Sequence, residues 1–475
     1  MASISSTTQT AFDVPSLVAD LMAVERRPID TLNTKITQTE SKISSLGTVS
    51  SLVSTFQTAA AGFNTALVKL TATPSDASFS ATAASSGVPG TYSLSISQLA
   101  QAHNLVAAGQ ASSSVAIGDG TPTTLTFDFG TISGGTLTSG VYSGASFTSN
   151  GSGTASVVID STNNTLEGIR DAINDANIGV MATLVNDGSG TPWRLALTST
   201  QSGAANSMKI SVSGGDGSLD ALLGYDPAGT QNLTQTQAAQ NASLMVNGIP
   251  ITSDSNTVSE AIQGVTLTLK NTTSAPATLT VARDTAAIES AAAAFVEAYN
   301  AMATQIKSLV AYDTDSTQAG ALAGDSALRT IQDNLRSILA TPATGGTLTR
   351  LAEVGLALQK DGTLKLDSST LNAAIANDFN DVQNLFSSSS GFATRFESWA
   401  GDTLEVGGLI DLRKQSLNNY IDDRSEEIER LELRMEALEK KYIKEYTNLN
   451  LLLSRLNNAS TFLSQQLAFS QQDDE

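Results

Sequence analysis

Residues 417–463 read LNNYIDDRSEEIERLELRMEALEKKYIKEYTNLNLLLSRLNNASTFL, and their spacing decides the fold at this end of the chain. Ile421, Ile428, Met435, Tyr442, Leu449, Leu456 and Leu463 stand seven apart, while Leu431, Leu438 and Leu452 fill the second apolar position of the same repeat. Apolar residues alternating three and four apart form one stripe of a helix, and a stripe this long calls for a helical partner. Arg424, Glu445, Ala459 and Gln466 interrupt the second position. Such lapses weaken a permanent two-stranded coil and suit contacts that exchange. A second stripe lies near the other end: Leu32, Ile36, Ile43 and Leu46, then past Gly47 a shifted register through Val49, Leu52, Phe56, Ala59, Phe63 and Leu70. Each Leu or Ile buried along such stripes contributes about 1.5–3 kcal/mol. Two readings are open: the arms pair with each other inside one molecule, or they assemble with other molecules.

Between the arms the texture changes. Asp13 is placed to cap a short helix, Val14 to Glu25, with Leu17, Leu21 and Val24 on one face. Pro28 breaks that helix and opens the next, which runs to about Leu70. Thr71-Ala72-Thr73-Pro74-Ser75 marks a boundary, and from about 75 to 285 the pattern is β. Thr91 to Ile96 and Leu125 to Phe129 alternate with period two, and Val157 to Asp160, Met181 to Val185 and Trp193 to Leu197 read as further strands. One helix, Thr165 to Asn174, interrupts them. Asn164-Thr165-Leu166 with Ala172-Ile173 and Gly179-Val180 is partly echoed by Asn256-Thr257-Val258 with Ala261-Ile262 and Gly264-Val265, which suggests two related modules.

Helix resumes near Ala286, where Ile288, Ala292, Phe295, Tyr299, Met302, Ile306 and Leu309 step by four and three. Another helix follows Gly324-Asp325, a hairpin turns at Asp361-Gly362, and Asp367 or Ser368 caps a helix with Leu371 and Ile375 inward. Ser387 to Gly391 and Gly401 to Gly408 read as loops, and residues 1–11 as disordered. The expected fold is therefore multidomain α+β, with terminal coiled-coil-like arms, a helical stalk and an inserted antiparallel β head of two modules. Its expected divisions are 1–45 (export segment and first arm), 46–74 with 286–405 (stalk), 75–105 with 240–285 (inner β module), 106–239 (outer β module) and 406–475 (last arm). Arms flanking one insertion are most simply antiparallel.

Composition narrows the function classes. The chain has 475 residues, a net charge of −20, 15% charged and 5% aromatic residues, and no cysteine. Acidity opposes nucleic-acid and anionic-lipid binding. Absence of cysteine removes disulfides, thiol nucleophiles and thiolate metal sites. No apolar run reaches the roughly 20 residues that span a bilayer, so membrane insertion is not expected. Met1 to Thr10 carries neither a basic nor an apolar region, so no cleaved secretory signal is read there.

Equipment for chemistry is sparse. The one histidine is His103, and its neighbours Gln101, Ala102, Asn104 and Leu105 suggest no ligand set, which points to a structural or surface role. Asp313-Thr314-Asp315 begins like a calcium loop, but Gln318 stands where glycine is needed and Gly324 where glutamate is. Asp171 and Asp175 lie one helical turn apart and read as a solvated face. No enzyme, cofactor or metal is expected.

Several segments together resemble a known family. Asp13-Val14 to Leu17-Val18, Leu21-Met22, Glu25, Pro28-Ile29 and Leu32, followed by Ser44-Ser45-Leu46-Gly47, look like the start of bacterial flagellar filament-capping proteins, the hook-associated protein 2 family. Leu244 to Gly248 leading to Gly264 to Leu267, Gly324 to Arg329, and Gly355-Leu356 with Lys360 to Leu364 are similar to that family. Thr165 to Val180 is similar to a motif of flagellins and hook-associated proteins. About 106–155 and 200–240 fall outside the resemblance. The resemblance implies export through the flagellar type III channel and a ring of five or six copies at the distal filament tip. It implies contact with flagellin and the hook–filament junction proteins, and a cytoplasmic export chaperone on the C-terminal helix. On this reading the assembly seam comprises Leu32, Ile36, Ile43, Leu46, Phe56, Phe63, Ile421, Ile428, Leu431, Met435, Leu438, Tyr442, Leu449, Leu452 and Leu456. A Ser/Thr-rich β head is compatible with an alternative, a surface adhesin binding mucin or glycans.

Overall fold

The computed structural model describes residues 13–312 and 319–470. The reading of residues 1–11 and that of Asp313 to Gln318 as a loop lie outside the described residues. The chain divides into two units, one built from residues up to Leu67 and from Thr285 onward, the other from Val68 to Asp284.

The helical unit begins with α1 (Val14–Glu25), capped by the Asp13 carboxylate, and α2 (Arg27–Leu67). Pro28 sits in the first turn of α2, where its missing N–H costs nothing. Leu46, Val49, Val53, Phe56, Ala60 and Phe63 repeat at three and four, and all are fully buried. That face of α2 becomes the centre of the unit once the chain returns.

The β unit has two separate apolar cores. The chain enters the first with β1 (Leu70–Pro74), β2 (Phe79–Ala83) and β3 (Gly90–Gln98). It leaves for the second through β4 (Ala102–Ala107), β5 (Thr123–Thr138), β6 (Val141–Ser149), β7 (Ala155–Ile159), α3 (Leu166–Asp175), β8 (Val180–Asn186), β9 (Trp193–Ser202), β10 (Ser207–Gly214), α4 (Ser218–Leu223) and β11 (Leu233–Gln237). It then returns through β12 (Ala242–Val246), β13 (Ile249–Ser253), β14 (Thr257–Ile262), β15 (Val265–Leu269) and β16 (Ala277–Arg283).

Every strand pairing in the unit is antiparallel. The first core lies between the sheets β1-β16-β3-β12-β13 and β14-β15-β2, and contains Phe79, Leu94, Ile96, Leu244, Leu267 and Leu279. The second lies between β10-β5-β6, with β7 also on β5, and β11-β4-β9-β8; it contains Leu105, Phe127, Ile169, Ile173, Leu197 and Tyr225.

The two passages that echo each other in sequence differ in structure. Thr165 accepts a hydrogen bond from the Gly168 N–H and caps α3, whose Leu166, Ile169 and Ile173 are buried at helical spacing. Thr257 to Ile262 is instead strand β14, turning at Gly264 (φ +69°) into β15. The echo is therefore no structural repeat.

His103 joins the sheets of the second core. It is fully buried on β4; its Nδ1 accepts from the Met208 N–H at 2.8 Å, and its Nε2 meets the Gln235 Oε1 at 2.8 Å. With Nδ1 accepting, the ring proton is on Nε2, which donates. Asn174 guards an edge in the same unit. Its carboxamide donates to the Ala182 carbonyl at 2.9 Å and accepts from the Ala182 N–H at 2.8 Å, taking the place of a further strand beside β8.

The helical unit resumes with α5 (Thr285–Val310), α6 (Ser326–Ala340), the hairpin β17 (Leu356–Leu358) and β18 (Leu364–Leu366), α7 (Ser368–Ser387), α8 (Phe392–Leu404) and α9 (Leu409–Ser470). Asp325 and Asp367 cap α6 and α7 through their carboxylates. The expected loop at Gly401 to Gly408 begins later than its glycines imply, because Thr403 Oγ1 bonds back to the Trp399 carbonyl at 2.7 Å and α8 continues to Leu404.

Candidate assembly interface

α9 has 62 residues and thus runs for about 93 Å. The apolar stripe read from its sequence meets three different environments along that length.

At its base α9 belongs to the core of the helical unit. Ile410 and Leu417 are buried with α2, α5 and α8. The Arg413 guanidinium lies 2.8 Å from the carboxylate of Asp325, whose side chain is only 3% exposed. The base of the arm is thereby tied to the start of α6.

In its middle third α9 pairs with α1. Met435 is buried against Val14, Val18, Met22 and Ile29, and Ile428, Leu431, Leu438, Tyr442 and Tyr446 pack half-buried around them. Tyr442 Oη lies 3.4 Å from Glu25 Oε1. Gly47, further along the first arm, faces Lys414 on α9. Residue numbers on the two arms therefore run in opposite directions, which makes the pairing antiparallel. The buried face of α1 is Val14, Val18 and Met22, whereas Leu17 and Leu21 are half-buried and Val24 is 54% exposed. This corrects the expected Leu17–Leu21–Val24 face. α1 carries two apolar stripes, and the one four residues apart from Val14 is the one that meets α9.

Beyond Tyr446 no element among the described residues covers the stripe. Leu449, Leu452, Leu456 and Leu463 are 41%, 53%, 58% and 59% exposed, and Leu451 and Phe462 are exposed beside them.

The remaining seam residues distribute as follows. Leu46, Phe56 and Phe63 are fully buried inside the helical unit. Phe56 meets Phe295 and Phe396 at ring separations of 5.1 Å, and Phe63 meets Phe386 at 4.4 Å. In this fold these three have no free face to offer. Leu32 is buried, Ile36 and Ile421 are half-buried, and Ile43 packs half-buried against the central core. Sequence spacing missed Val14, Val18 and Met22 as the local partner of the α9 stripe; their spacing at i, i+4 and i+8 was the available signal.

Neither unit assembles a reactive constellation among the described residues. Burial holds the His103 imidazole far below its usual value, at about 4, with Gln235 opposing that shift, so it is neutral. Asp171 is paired with Arg170 at 2.7 Å on the exposed face of α3. No three His, Asp or Glu side chains converge as metal ligands would among the described residues. No described helix is long and apolar enough to cross a membrane.

A helical unit closed by its first and last helices, carrying a β insertion in its sequence and ending in an apolar helix face that no other described element covers, defines a subunit made for assembly. Comparison with known proteins identifies which assembly family this is. The family descriptions "Flagellar hook-associated protein 2 N-terminus" and "C-terminus" match residues 10–103 and 239–458. A flagellar hook-associated protein 2 of Escherichia coli O157:H7 is 33% identical over 485 residues, 98% of both chains. A B-type flagellar hook-associated protein 2 of Pseudomonas aeruginosa strain PAO1 is 30% identical over 451 residues, 90% of both. The crystal structure of the Escherichia coli flagellar cap protein FliD, domains D1-D2-D3, superposes with a TM-score of 0.69 at 34% identity, covering 79% of this chain and 99% of that one. The chain belongs to the flagellar hook-associated protein 2 family.

Proposed function

We propose that this chain is a structural subunit of the cap at the distal end of a bacterial flagellar filament. There it promotes the folding and insertion of exported flagellin and prevents the loss of those subunits. The observation that supports this most is the likeness to the solved flagellar cap protein FliD, beside a match to a flagellar hook-associated protein 2 over 98% of the chain. The partners are other copies of the same chain in a ring, the filament end with its flagellin, and the junction between hook and filament. A cytoplasmic export chaperone meets the C-terminal helix before assembly.

The parts take distinct roles on this reading. The helical unit, with 46–67 and 286–405 at its centre, stands on the filament; the expected stalk segment 46–74 is shortened because Leu70–Pro74 is strand β1 of the β unit. The inner β module (75–105 with 240–285, together with β1) and the outer β module (106–239) form the plate. The flanking segments 1–45 and 406–475 carry the arms, and the exposed end of α9 supplies the exchangeable contact. No bond-making step is involved.

Deleting the gene tests the proposal. The expected result is cells without filaments that release flagellin monomers into the medium. Normal filaments on the deletion strain would falsify it.

A further inference from the structure

The composition of α9 changes along its length. From Asp422 to Glu445 charged residues are dense, as on a solvated helix, but from Thr447 to Gln466 the only charge is Arg455. Over the same stretch six large apolar side chains are exposed: Leu449, Leu451, Leu452, Leu456, Phe462 and Leu463. Depletion of charge together with exposed large apolar groups is the signature of an interface core, and a solvent-facing helix shows the opposite.

A surface of matching character adjoins it. Between α1 and the middle of α9 runs a groove of about 360 Å³ floored by Val14, Val18, Met22, Ile443 and Thr447. Its two charges, Arg26 and Glu439, are of opposite sign, so it repels neither a neutral helix nor a singly charged one. It shares Val14, Val18 and Met22 with the buried α1–α9 seam.

The tail of the same molecule cannot fill this groove. α9 is one unbroken helix that itself supplies Ile443 and Thr447 to the lining. At 1.5 Å per residue, Leu452 lies about 7.5 Å and Leu463 about 24 Å further along the same axis. The helix carries them away from the groove, so a distal α9 segment that fills it belongs to another molecule.

We propose that the occupant is the distal α9 segment, residues 447–466, of a second copy, laid into the α1–α9 groove as a third helix. This rests on the ring assembly proposed above. A closed ring requires head-to-tail contacts, in which two different patches of each subunit meet their complements on its neighbours. Groove and tail are such a pair. A 20-residue helix is about 30 Å long, which gives an interface at the small end of the range for specific contacts. Each contact is therefore weak alone and adds up around a closed ring, consistent with a seam whose contacts exchange.

The absence of cysteine makes a clean test possible. Full-length Ala19→Cys, on the groove rim, is mixed with full-length Leu456→Cys carrying a removable tag, and the mixture is oxidised with oxidised glutathione. The expected product is a mixed disulfide dimer, with little from either variant alone. Self-crosslinking of Leu456→Cys as fast as in the mixture would show tail-to-tail pairing and overturn the proposal. In parallel, sedimentation velocity compares the unmodified chain with Leu452→Asp/Leu456→Asp, whose exposed positions leave the fold intact by circular dichroism. The expected result is an oligomer for the first and monomer for the second. An oligomer that persists in the double variant overturns the groove contact but not the ring. A monomeric unmodified chain overturns the ring, and the contact with it.

Discussion

Acid should loosen the second β core through a single side chain. His103 is fully buried, and its Nδ1 accepts the Met208 N–H, so protonating that nitrogen removes the acceptor and leaves the amide facing a cation. The groups facing the ring are neutral: Gln235, the Tyr225 ring at 5.9 Å, and Tyr142, whose hydroxyl accepts from Gln235 at 3.1 Å. Among the described residues no carboxylate is bonded to the ring to stabilise the imidazolium. Burial takes the His103 pKa from 6.5 to about 4. The unfolded chain therefore binds this proton first as pH falls. The stability associated with neutral His103 is fully present above pH 6.5 and is lost progressively between 6.5 and 4. At about 1.4 kcal/mol per pH unit the full loss is about 3 kcal/mol. Other groups titrate in this range, so the decisive quantity is the difference from His103→Gln, which can still accept from Met208 and does not ionise. The assay is amide exchange of peptides containing Met208, followed by mass spectrometry on the full chain at pH 7.5 to 4.5 and corrected for intrinsic exchange. Protection should fall with acid in the wild-type chain, approaching tenfold per pH unit below 6.5, and the variant should lack this component. Parallel profiles for the two proteins would refute the reasoning.

Two further predictions concern the helical unit. Phe56→Ala removes a ring packed on Phe295, Phe396 and Tyr299, and should cost about 3–5 kcal/mol, read as a lower urea midpoint of the helical unit with an unchanged slope. Arg413→Ala removes the ion-pair partner of the buried Asp325 carboxylate, which keeps its bond from the Ala327 N–H, and should cost about 1–3 kcal/mol, seen as faster amide exchange at the start of α6; Arg413→Lys should recover part of the loss.

The sequence revealed faces more readily than partners. The heptads of α9, the four-and-three stepping of α5 and the Asp361-Gly362 turn of the β17–β18 hairpin were legible because each follows from local periodicity or turn chemistry. The stripe from Leu46 to Phe63 was equally visible, but periodicity states that a face is buried and is silent about what buries it. Its partners, Phe295, Phe386 and Phe396, come from more than 200 residues away. Val14, Val18 and Met22 were overlooked because α1 carries a second apolar stripe of similar strength. The passage from Thr165 and that from Thr257 share letters, yet one became a helix and the other a strand. Glu167, Arg170 and Asp171 between Leu166, Ile169 and Ile173 give the first a helical period, while Gly264 turns the second into a hairpin. The exposed end of α9 lay within the same heptad run as its covered part. The loss of charge after Tyr446 was the signal that separated them.

The central claim is that the uncovered end of α9 is the working assembly surface of a filament cap. Its most direct test is filament length by electron microscopy in a deletion strain complemented with either the natural chain or Leu449→Asp/Leu452→Asp/Leu456→Asp. Both proteins should be stable in the cells, and the natural chain should restore full-length filaments while the triple variant leaves flagellin in the medium. Filaments of normal length on cells carrying the triple variant would contradict the account.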